Sequence, residues 1–153
     1  MDEFIIRNTL TEADIDVMHS YLRETYWAKD IPREIVARSV ENSLPFAIVQ
    51  VATGRLAGFA RVITDRATFA YLADVFIVPE FRGHGLSKQL MATILDHPDM
   101  QNLRRFMLLT KDAHGLYAQF GFTPVADPAP IMHRHHPNPY TLPAVPTSDP
   151  ENS

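Results

Sequence analysis

Alternating and continuous hydrophobic runs along the chain predict strands of a single sheet. Val, Ile, Phe and Tyr dominate these runs, and Gly, Pro or Asp bounds most of them. A hairpin is expected around Gly54, and Pro79 ends the longest run. The expected strands are FIIRN (4–8), PFAIVQV (45–51), RLAGFARVI (55–63), FAYLADVFIV (69–78) and RRFMLLT (104–110), and IMHRHH (131–136) is expected to form one more.

Segments between these expected strands show the hydrophobic periodicity of helices. Thr11, with Asp14 three residues later, is typical of a helix cap, and apolar residues then recur at helical spacing. A second helix is expected from DIPREIVARSV, with Pro32 in its first turn. A third follows Gly85, and AHGLYAQF predicts a short fourth. The pattern predicts an α/β fold with a mixed sheet: antiparallel N-terminal strands, then a parallel β-α-β-α segment with a right-handed crossover.

Composition limits the classes of function. The 153 residues, 46% of them hydrophobic, fit one domain, expected over residues 1–136. Eight of the twelve prolines lie between Pro124 and Pro150, and residues 137–153 are expected to be a flexible, proline-rich tail. A net charge of -4 argues against nucleic-acid binding. The chain has no cysteine, and its N-terminal residues resemble neither a signal peptide nor a membrane span, so a cytoplasmic protein is expected.

The stretch FIVPEFRGHGLSKQL, residues 76–90, joins an apolar strand to an amphipathic helix. The first N–H groups of such a helix are unpaired and the helix dipole is positive there, so an anion binds end-on. Gly83 and Gly85 would let the backbone approach a phosphate, and Arg82 would add a charged donor. The stretch satisfies neither the P-loop pattern nor the dinucleotide fingerprint, because Lys88 stands where the latter needs glycine. Taken alone, the two glycines are equally typical of an ordinary turn.

Two motifs together resemble those of the GNAT superfamily of N-acetyltransferases. RGHGLS resembles the acetyl-CoA signature R/Q-x-x-G-x-G/A, and AHGLYAQFGF resembles the A-x-x-L-Y-x-x-x-G-F helix. The motifs stand in the expected order with a strand between them, and the resemblance covers about residues 4–136. Ser87 departs from the usual glycine or alanine, and Thr110 stands where many relatives carry asparagine. The resemblance implies a splayed central strand pair and acetyl-CoA as co-substrate.

The resemblance also assigns roles to individual residues. The splayed strand would present backbone groups to the pantetheine arm, and Tyr117 would donate a proton to the departing thiolate. Tyr117 alone is also compatible with simple packing beside Phe120 and Phe122. The residues that the resemblance assigns to cofactor binding are Phe76, Ile77, Val78, Arg82, Gly83, His84, Gly85, Leu86, Ser87 and Thr110.

Asp74 interrupts an apolar strand run, where a carboxylate must be paired or face a cleft. By strand alternation it should share a side with Phe76. It would bind the acceptor amine or assist its deprotonation, or else it is satisfied by an arginine such as Arg61. Tyr26 and Trp27 would wall the acceptor pocket or pack in the core.

Other clusters and functions stay open. His133, His135 and His136 lack a supporting carboxylate, so no metal site is expected there. His114 lies one helical turn before Tyr117. The expected reaction is acetyl transfer from acetyl-CoA to a small-molecule primary amine, with cationic acceptors preferred. The alternatives are a non-catalytic acyl-CoA-binding or sensing domain and an interaction module built on the tail. The sequence leaves the acceptor undetermined, and a homodimer stays open.

Overall fold

The computed structural model describes residues 2–140, which form five strands and four helices. The elements in chain order are β1 (Phe4–Arg7), α1 (Glu12–Leu22), α2 (Arg33–Glu41), β2 (Leu44–Gln50), β3 (Leu56–Thr64), β4 (Phe69–Ile77), α3 (Leu86–Asp96), β5 (Arg105–Leu108) and α4 (His114–Ala118). A 3-10 turn, Pro79–Phe81, links β4 to the glycine-rich loop before α3.

The five strands form one sheet in the order β1-β2-β3-β4-β5. The first three pairings are antiparallel, and β5 joins β4 in parallel. α3 makes the connection between β4 and β5, which parallel strands require. The mixed α/β sheet expected from the sequence is therefore confirmed.

Two hydrophobic clusters hold the helices against this sheet. The larger cluster combines α3 residues such as Leu90 and Ile94 with sheet residues and with Tyr117 of α4. The second combines α1 and α2 residues, including Met18 and Val36, with Phe59 and other sheet residues. Each helix pair thus has its own core, and both cores include residues of β4.

The predicted cap of α1 is confirmed and extends into the sheet. The Asp14 backbone N–H donates to Thr11 Oγ1 across 3.1 Å, and Asp14 Oδ2 accepts from the Thr11 N–H across 2.9 Å. The same carboxylate oxygen accepts from Arg7 Nη2 at 2.5 Å, while Asp14 is only 3% exposed. This pair therefore anchors α1 to β1.

One predicted strand is wrong. Residues 131–136 have no strand structure and are all exposed. Prolines at 128, 130 and 137 flank this run, and it does not pair with β5, the last strand of the sheet. Tyr140 packs against the α1–α2 cluster, so the chain returns to the domain after residue 136. The proposed tail lies mostly at 141–153, outside the described residues, and the boundary at 136 stays a prediction.

Candidate active site

β4 and β5 pair at one end and separate at the other. Their parallel pairing runs only from Phe69 with Arg105 to Leu72 with Leu108. β4 continues to Ile77, whereas β5 ends at Leu108. The backbone of β4 beyond Leu72 therefore has no β5 partner and faces an opening. This is the splayed strand pair expected from the sequence.

An extra residue in β4 accompanies the separation. Arg61 pairs with Ala73 and Phe59 with Phe76, so one residue of β3 lies opposite two residues of β4. Asp74, one of those two, has φ 55°. Ala70, Leu72, Val75 and Ile77 all contact the α3 cluster, which regular alternation along β4 would not allow.

Gly58 makes this irregular pairing sterically feasible. A Cβ there would lie 2.6 Å from Ile77 Cδ1 and 2.9 Å from the backbone oxygen of Phe76. The second distance matters more, because a backbone oxygen moves only if β4 moves. β4 can approach β3 this closely only because position 58 has no side chain.

A cavity of about 540 Å³ extends from this opening to the start of α3. Its walls come from β4, the glycine-rich loop, the start of α3, and α4. The lining residues include Val75, Phe76, Ile77, Arg82, Gly83, Gly85, Leu86, Ser87, Lys88 and Tyr117. Most of the residues that sequence analysis assigned to cofactor binding therefore surround one space.

The glycine-rich loop presents unpaired backbone donors to this cavity. Gly83 has φ 88° and Gly85 has φ 71°, a conformation that costs glycine little. No side chain caps α3, and within residues 2–140 no acceptor receives a hydrogen bond from the N–H groups of residues 83–88. The start of α3 therefore has the free donors and open space that a phosphate requires.

Arg82 lies at the edge of the cavity and contacts α1. Its Nη2 donates to Tyr21 Oη across 3.1 Å, and the Tyr21 ring stacks on Phe76 with centroids 4.4 Å apart. Tyr21 was not identified from the sequence, although it lies three residues after buried Met18 and so on the same side of α1. It joins the arginine to the strand that lines the cavity.

Three of the assigned cofactor residues lie outside the cavity lining. His84 faces Phe4, with ring centroids 5.8 Å apart. Thr110 Oγ1 accepts a hydrogen bond from the Ala113 N–H across 3.0 Å and so supports the start of α4. Val78 contacts both hydrophobic clusters. Direct cofactor contacts stay a prediction for these three residues, as they do for the assigned residues in the lining.

Tyr117 lies in the wall of the cavity and is 8% exposed. Its ring meets Phe122 edge-on at 6.1 Å, so packing holds the ring in place. Burial raises the pKa of its phenol above the ordinary value of 10.0. The hydroxyl therefore stays protonated at neutral pH and can donate a proton or a hydrogen bond.

Asp74 lies in β4, outside the residues that line the cavity, and two donors hold its carboxylate. Its Oδ2 accepts from Arg61 Nε at 2.6 Å and its Oδ1 accepts from Trp27 Nε1 at 3.0 Å. Arg61 also donates to Ser43 Oγ across 3.0 Å. The expected arginine partner is thus present, and the carboxylate keeps lone pairs for one further donor.

The loop between α1 and α2 contacts Asp74 through Trp27. Trp27 is 44% exposed and Tyr26 is 66% exposed, and their rings meet edge-on at 5.1 Å. Lys111 Nζ, from the loop before α4, lies 5.3 Å from the centre of the Tyr26 ring. This aromatic pair therefore connects β4 with the β5–α4 loop, a contact of Lys111 that the sequence did not indicate.

Residues 2–140 show neither the arrangement typical of a metal site nor a helix suited to span a membrane. No group of three or more His, Asp or Glu side chains is placed to hold a metal ion there, and the His133 and His135 rings simply stack 5.6 Å apart. Within the same residues, no helix has the length and apolar character needed to cross a membrane.

Known proteins share both the sequence pattern and this architecture. The sequence model of the Acetyltransferase (GNAT) family matches residues 8–122. A GNAT-family acetyltransferase structure from Xanthomonas campestris superposes with a TM-score of 0.87 and 48% identity, covering 93% of this chain and 99% of that one. The Gibberella zeae acetyltransferase FG08082 is 24% identical over 136 residues, 76% of this chain and 77% of that protein.

A more distant likeness concerns the fold alone. N-acetylglutamate synthase from Neisseria gonorrhoeae, solved with coenzyme A and L-arginine, has a TM-score of 0.66 at 19% identity, over 85% of this chain and 29% of that one. The splayed strands, the glycine-rich loop and the family match agree with one another. This chain belongs to the GNAT family of acetyltransferases and is an acyltransferase.

Proposed function

We propose that this acyltransferase moves an acetyl group from acetyl-CoA to the primary amine of a small molecule. The observation that carries the proposal is the single cavity joining the unpaired N–H groups before α3 to Tyr117. The family uses acetyl-CoA, and a structural neighbour was solved with coenzyme A. The cavity is suited to that co-substrate because it has anion donors at one end and a proton donor at the other.

Residues of the loop and of β4 would bind the two ends of the co-substrate. The N–H groups of residues 83–88 would hold the pyrophosphate, together with a side chain such as Arg82. Backbone groups of Phe76 and Ile77, free of β5, would hold the pantetheine arm and polarise the thioester carbonyl. Polarisation of that carbonyl stabilises the oxyanion that forms when the amine attacks.

The reaction proceeds by direct attack. The neutral amine nitrogen forms a bond to the thioester carbon, and the tetrahedral intermediate then collapses with cleavage of the carbon–sulfur bond. Tyr117 gives its phenolic proton to the departing thiolate and regains one from solvent. The amide product and free CoA leave.

Asp74 would position the acceptor amine. It would orient the amine rather than take its proton directly, and the amine proton would pass through water to solvent. Because Arg61 neutralises much of the Asp74 charge, hydrogen bonding contributes more to orientation than long-range attraction does. Tyr26 and Trp27 would form the wall against which the acceptor rests.

A thiol-release assay tests the proposal. The chain has no cysteine, so a thiol reagent detects only the CoA that is produced. Polyamines, amino acids, aminoglycosides and peptide amines would be screened with acetyl-CoA, and we expect turnover with a small primary amine. The Tyr117→Phe variant serves as the control. CoA binding without thiol release for any amine would instead favour the acyl-CoA-binding alternative.

A further inference from the structure

Arg82 has a defined orientation at the edge of the 540 Å³ cavity. Its Nη2 donates to Tyr21 Oη across 3.1 Å, and its Nε donates to the Ile77 carbonyl oxygen across 3.4 Å. The Val78 N–H donates toward β3, to the Ala57 carbonyl, so the Ile77 carbonyl of the same trans peptide group points away from β3. The guanidinium therefore lies on the side of β4 that β5 leaves free.

Tyr21 is fixed more firmly than the arginine that it contacts. Its ring stacks on Phe76 with centroids 4.4 Å apart and planes 18° apart, and Phe76 is 4% exposed. Met18 and Leu22, on either side of Tyr21 in α1, are fully buried. Arg82 is exposed, and a free arginine side chain samples many rotamers. The Tyr21 hydroxyl therefore restricts where the Arg82 guanidinium lies.

The guanidinium keeps donors for an anion in this orientation. An arginine side chain has five N–H donors, and Tyr21 and Ile77 each accept one of them. The ion pairs formed within residues 2–140 do not include Arg82, so no carboxylate among these residues neutralises its charge. The remaining N–H groups, on Nη1 and Nη2, have the planar arrangement that suits two oxygens of a phosphate.

We propose that Tyr21 is a positioning residue for the phosphates of acetyl-CoA, because it holds Arg82 in the orientation that binds them. This role rests on the proposed function, in which the pyrophosphate binds beside residues 83–88. The Arg82 contact with Ile77 is the longer and weaker of the two, so the pantetheine arm replaces it while the Tyr21 contact stays. Because the arginine is placed before the ligand arrives, binding costs less conformational entropy.

A double-mutant cycle on CoA affinity tests this role and requires no acceptor. Tyr21→Phe removes the hydroxyl but keeps the ring that stacks on Phe76, and Arg82→Ala removes the guanidinium. By calorimetry we expect Tyr21→Phe to weaken CoA binding about three- to tenfold, the effect of one lost hydrogen bond. In the Arg82→Ala background the same substitution should change CoA affinity by less than about twofold, because no arginine is left to position.

Tyr140→Phe is the matched control. Tyr140 packs against the same hydrophobic cluster as Tyr21 but does not line the cavity. Loss of its hydroxyl should leave CoA affinity at the wild-type value. The melting temperatures of the ligand-free proteins separate a change in the fold from a change in binding, and Tyr21→Phe should melt like wild type because its ring stays stacked.

Three results would overturn the proposal while CoA still binds to the wild type. Unchanged affinity in Tyr21→Phe would mean that the hydroxyl has no role. Tighter binding would mean that Tyr21 holds Arg82 away from the phosphates, and an equal loss in both backgrounds would mean that Tyr21 acts without Arg82. A wild type that binds no CoA would contradict the proposed function, and this role with it.

Discussion

The indole N–H of Trp27 and the carboxylate of Asp74, 47 positions apart in sequence, are joined by a hydrogen bond of 3.0 Å. Trp27 belongs to the loop between α1 and α2, and Asp74 is at the irregular pairing in β4. Arg61 holds the second carboxylate oxygen. Trp27, the proposed wall for the acceptor, is thus joined to the strand that lines the cavity, so under the proposed function a change at either residue should alter acceptor binding.

Asp74→Asn separates the binding role of this carboxylate from its structural role. The amide is close in size to the carboxylate but carries no charge, so the acceptor should lose a charged hydrogen-bond partner. We expect the acceptor KM to rise or kcat/KM to fall about tenfold or more, with acetyl-CoA binding unchanged. Trp27→Phe, which removes only the indole donor, is the comparison. If Asp74→Asn lowers the melting temperature but acetylates the best amine normally, Asp74 only pairs with Arg61.

Gly85→Ala tests the anion site. Gly85 has φ 71° and space around its missing Cβ, so alanine adds backbone strain of about 1–2 kcal/mol and a methyl group beside the unpaired N–H groups that are proposed to bind phosphate. Gly54→Ala is a matched control, because Gly54 also has φ 71° and open space but lies in the β2–β3 hairpin. Both variants should melt earlier. Only Gly85→Ala should lose much of the rise in melting temperature that CoA causes in wild type.

Arg82→Ala examines the charged donor of the same loop. Arg82 is exposed and contacts Tyr21, so its removal should leave the fold nearly unchanged. We expect CoA to bind more weakly to this variant, whereas pantetheine without the nucleotide should bind equally to both proteins. Equal CoA affinity, measured by calorimetry, would remove Arg82 from the phosphate site.

Tyr117→Phe removes one hydroxyl and keeps the packed ring. We expect turnover to fall by roughly 10² to 10⁴, the usual contribution of general acid catalysis, with little change in acetyl-CoA affinity. Single-turnover measurements would report the chemical step directly. Unchanged single-turnover rates would mean that the ring serves packing alone.

Two tyrosines should make the fold sensitive to alkaline pH. Burial raises the pKa of Tyr117, and burial together with the Asp74 charge raises the pKa of Tyr71. The folded state therefore holds these protons more tightly than the unfolded state. The stability that these two protonated tyrosines contribute is complete below the unfolded pKa of about 10. It is lost as pH rises through their higher pKa values in the folded state. Urea unfolding above pH 10 should show a steeper loss of stability in wild type than in Tyr71→Phe or Tyr117→Phe.

Gly58→Ala, a substitution in β3, should disturb the cavity by displacing β4. Its Cβ would lie 2.9 Å from the Phe76 oxygen, so β4 must shift, at a cost of about 1–3 kcal/mol. CoA should also bind more weakly, because the displaced strand lines the cavity. Gly115→Ala is the control, since a Cβ at that position in α4 meets no atom within 4 Å. If both variants unfold at the same urea concentration as wild type, the position of β4 does not require the absence of a side chain at residue 58.

Local chemistry explains which parts of the fold could be predicted. The Thr11–Asp14 cap, the glycine-rich loop and the strand runs depend on neighbouring residues, and each was expected from the sequence. The hydrogen bond between Trp27 and Asp74 and the contact between Lys111 and Tyr26 join distant parts of the chain. Neither has a periodic signal that a single sequence could reveal.

The wrong strand at 131–136 has a related cause. Its composition satisfies strand propensity, but pairing requires a neighbouring edge that the chain can reach. Pro130 and Pro137 bound the segment, and the sheet formed by residues 2–140 ends at β5 without it. Strand propensity is a property of the segment alone, whereas a β-strand forms only when the segment hydrogen-bonds to a second strand.

The opening between β4 and β5 lies next to a stretch in which β3 and β4 contain different numbers of residues. Between the pairs Arg61–Ala73 and Phe59–Phe76, β3 has one residue and β4 has two. A substitution at position 74 by a residue that tolerates φ 55° changes the chemistry at the mismatch but not the number of residues, so the opening should survive it. Deletion of residue 74 would instead equalise the two strands and allow regular pairing. The site is therefore encoded partly by chain length, a property that substitution scanning alone cannot detect.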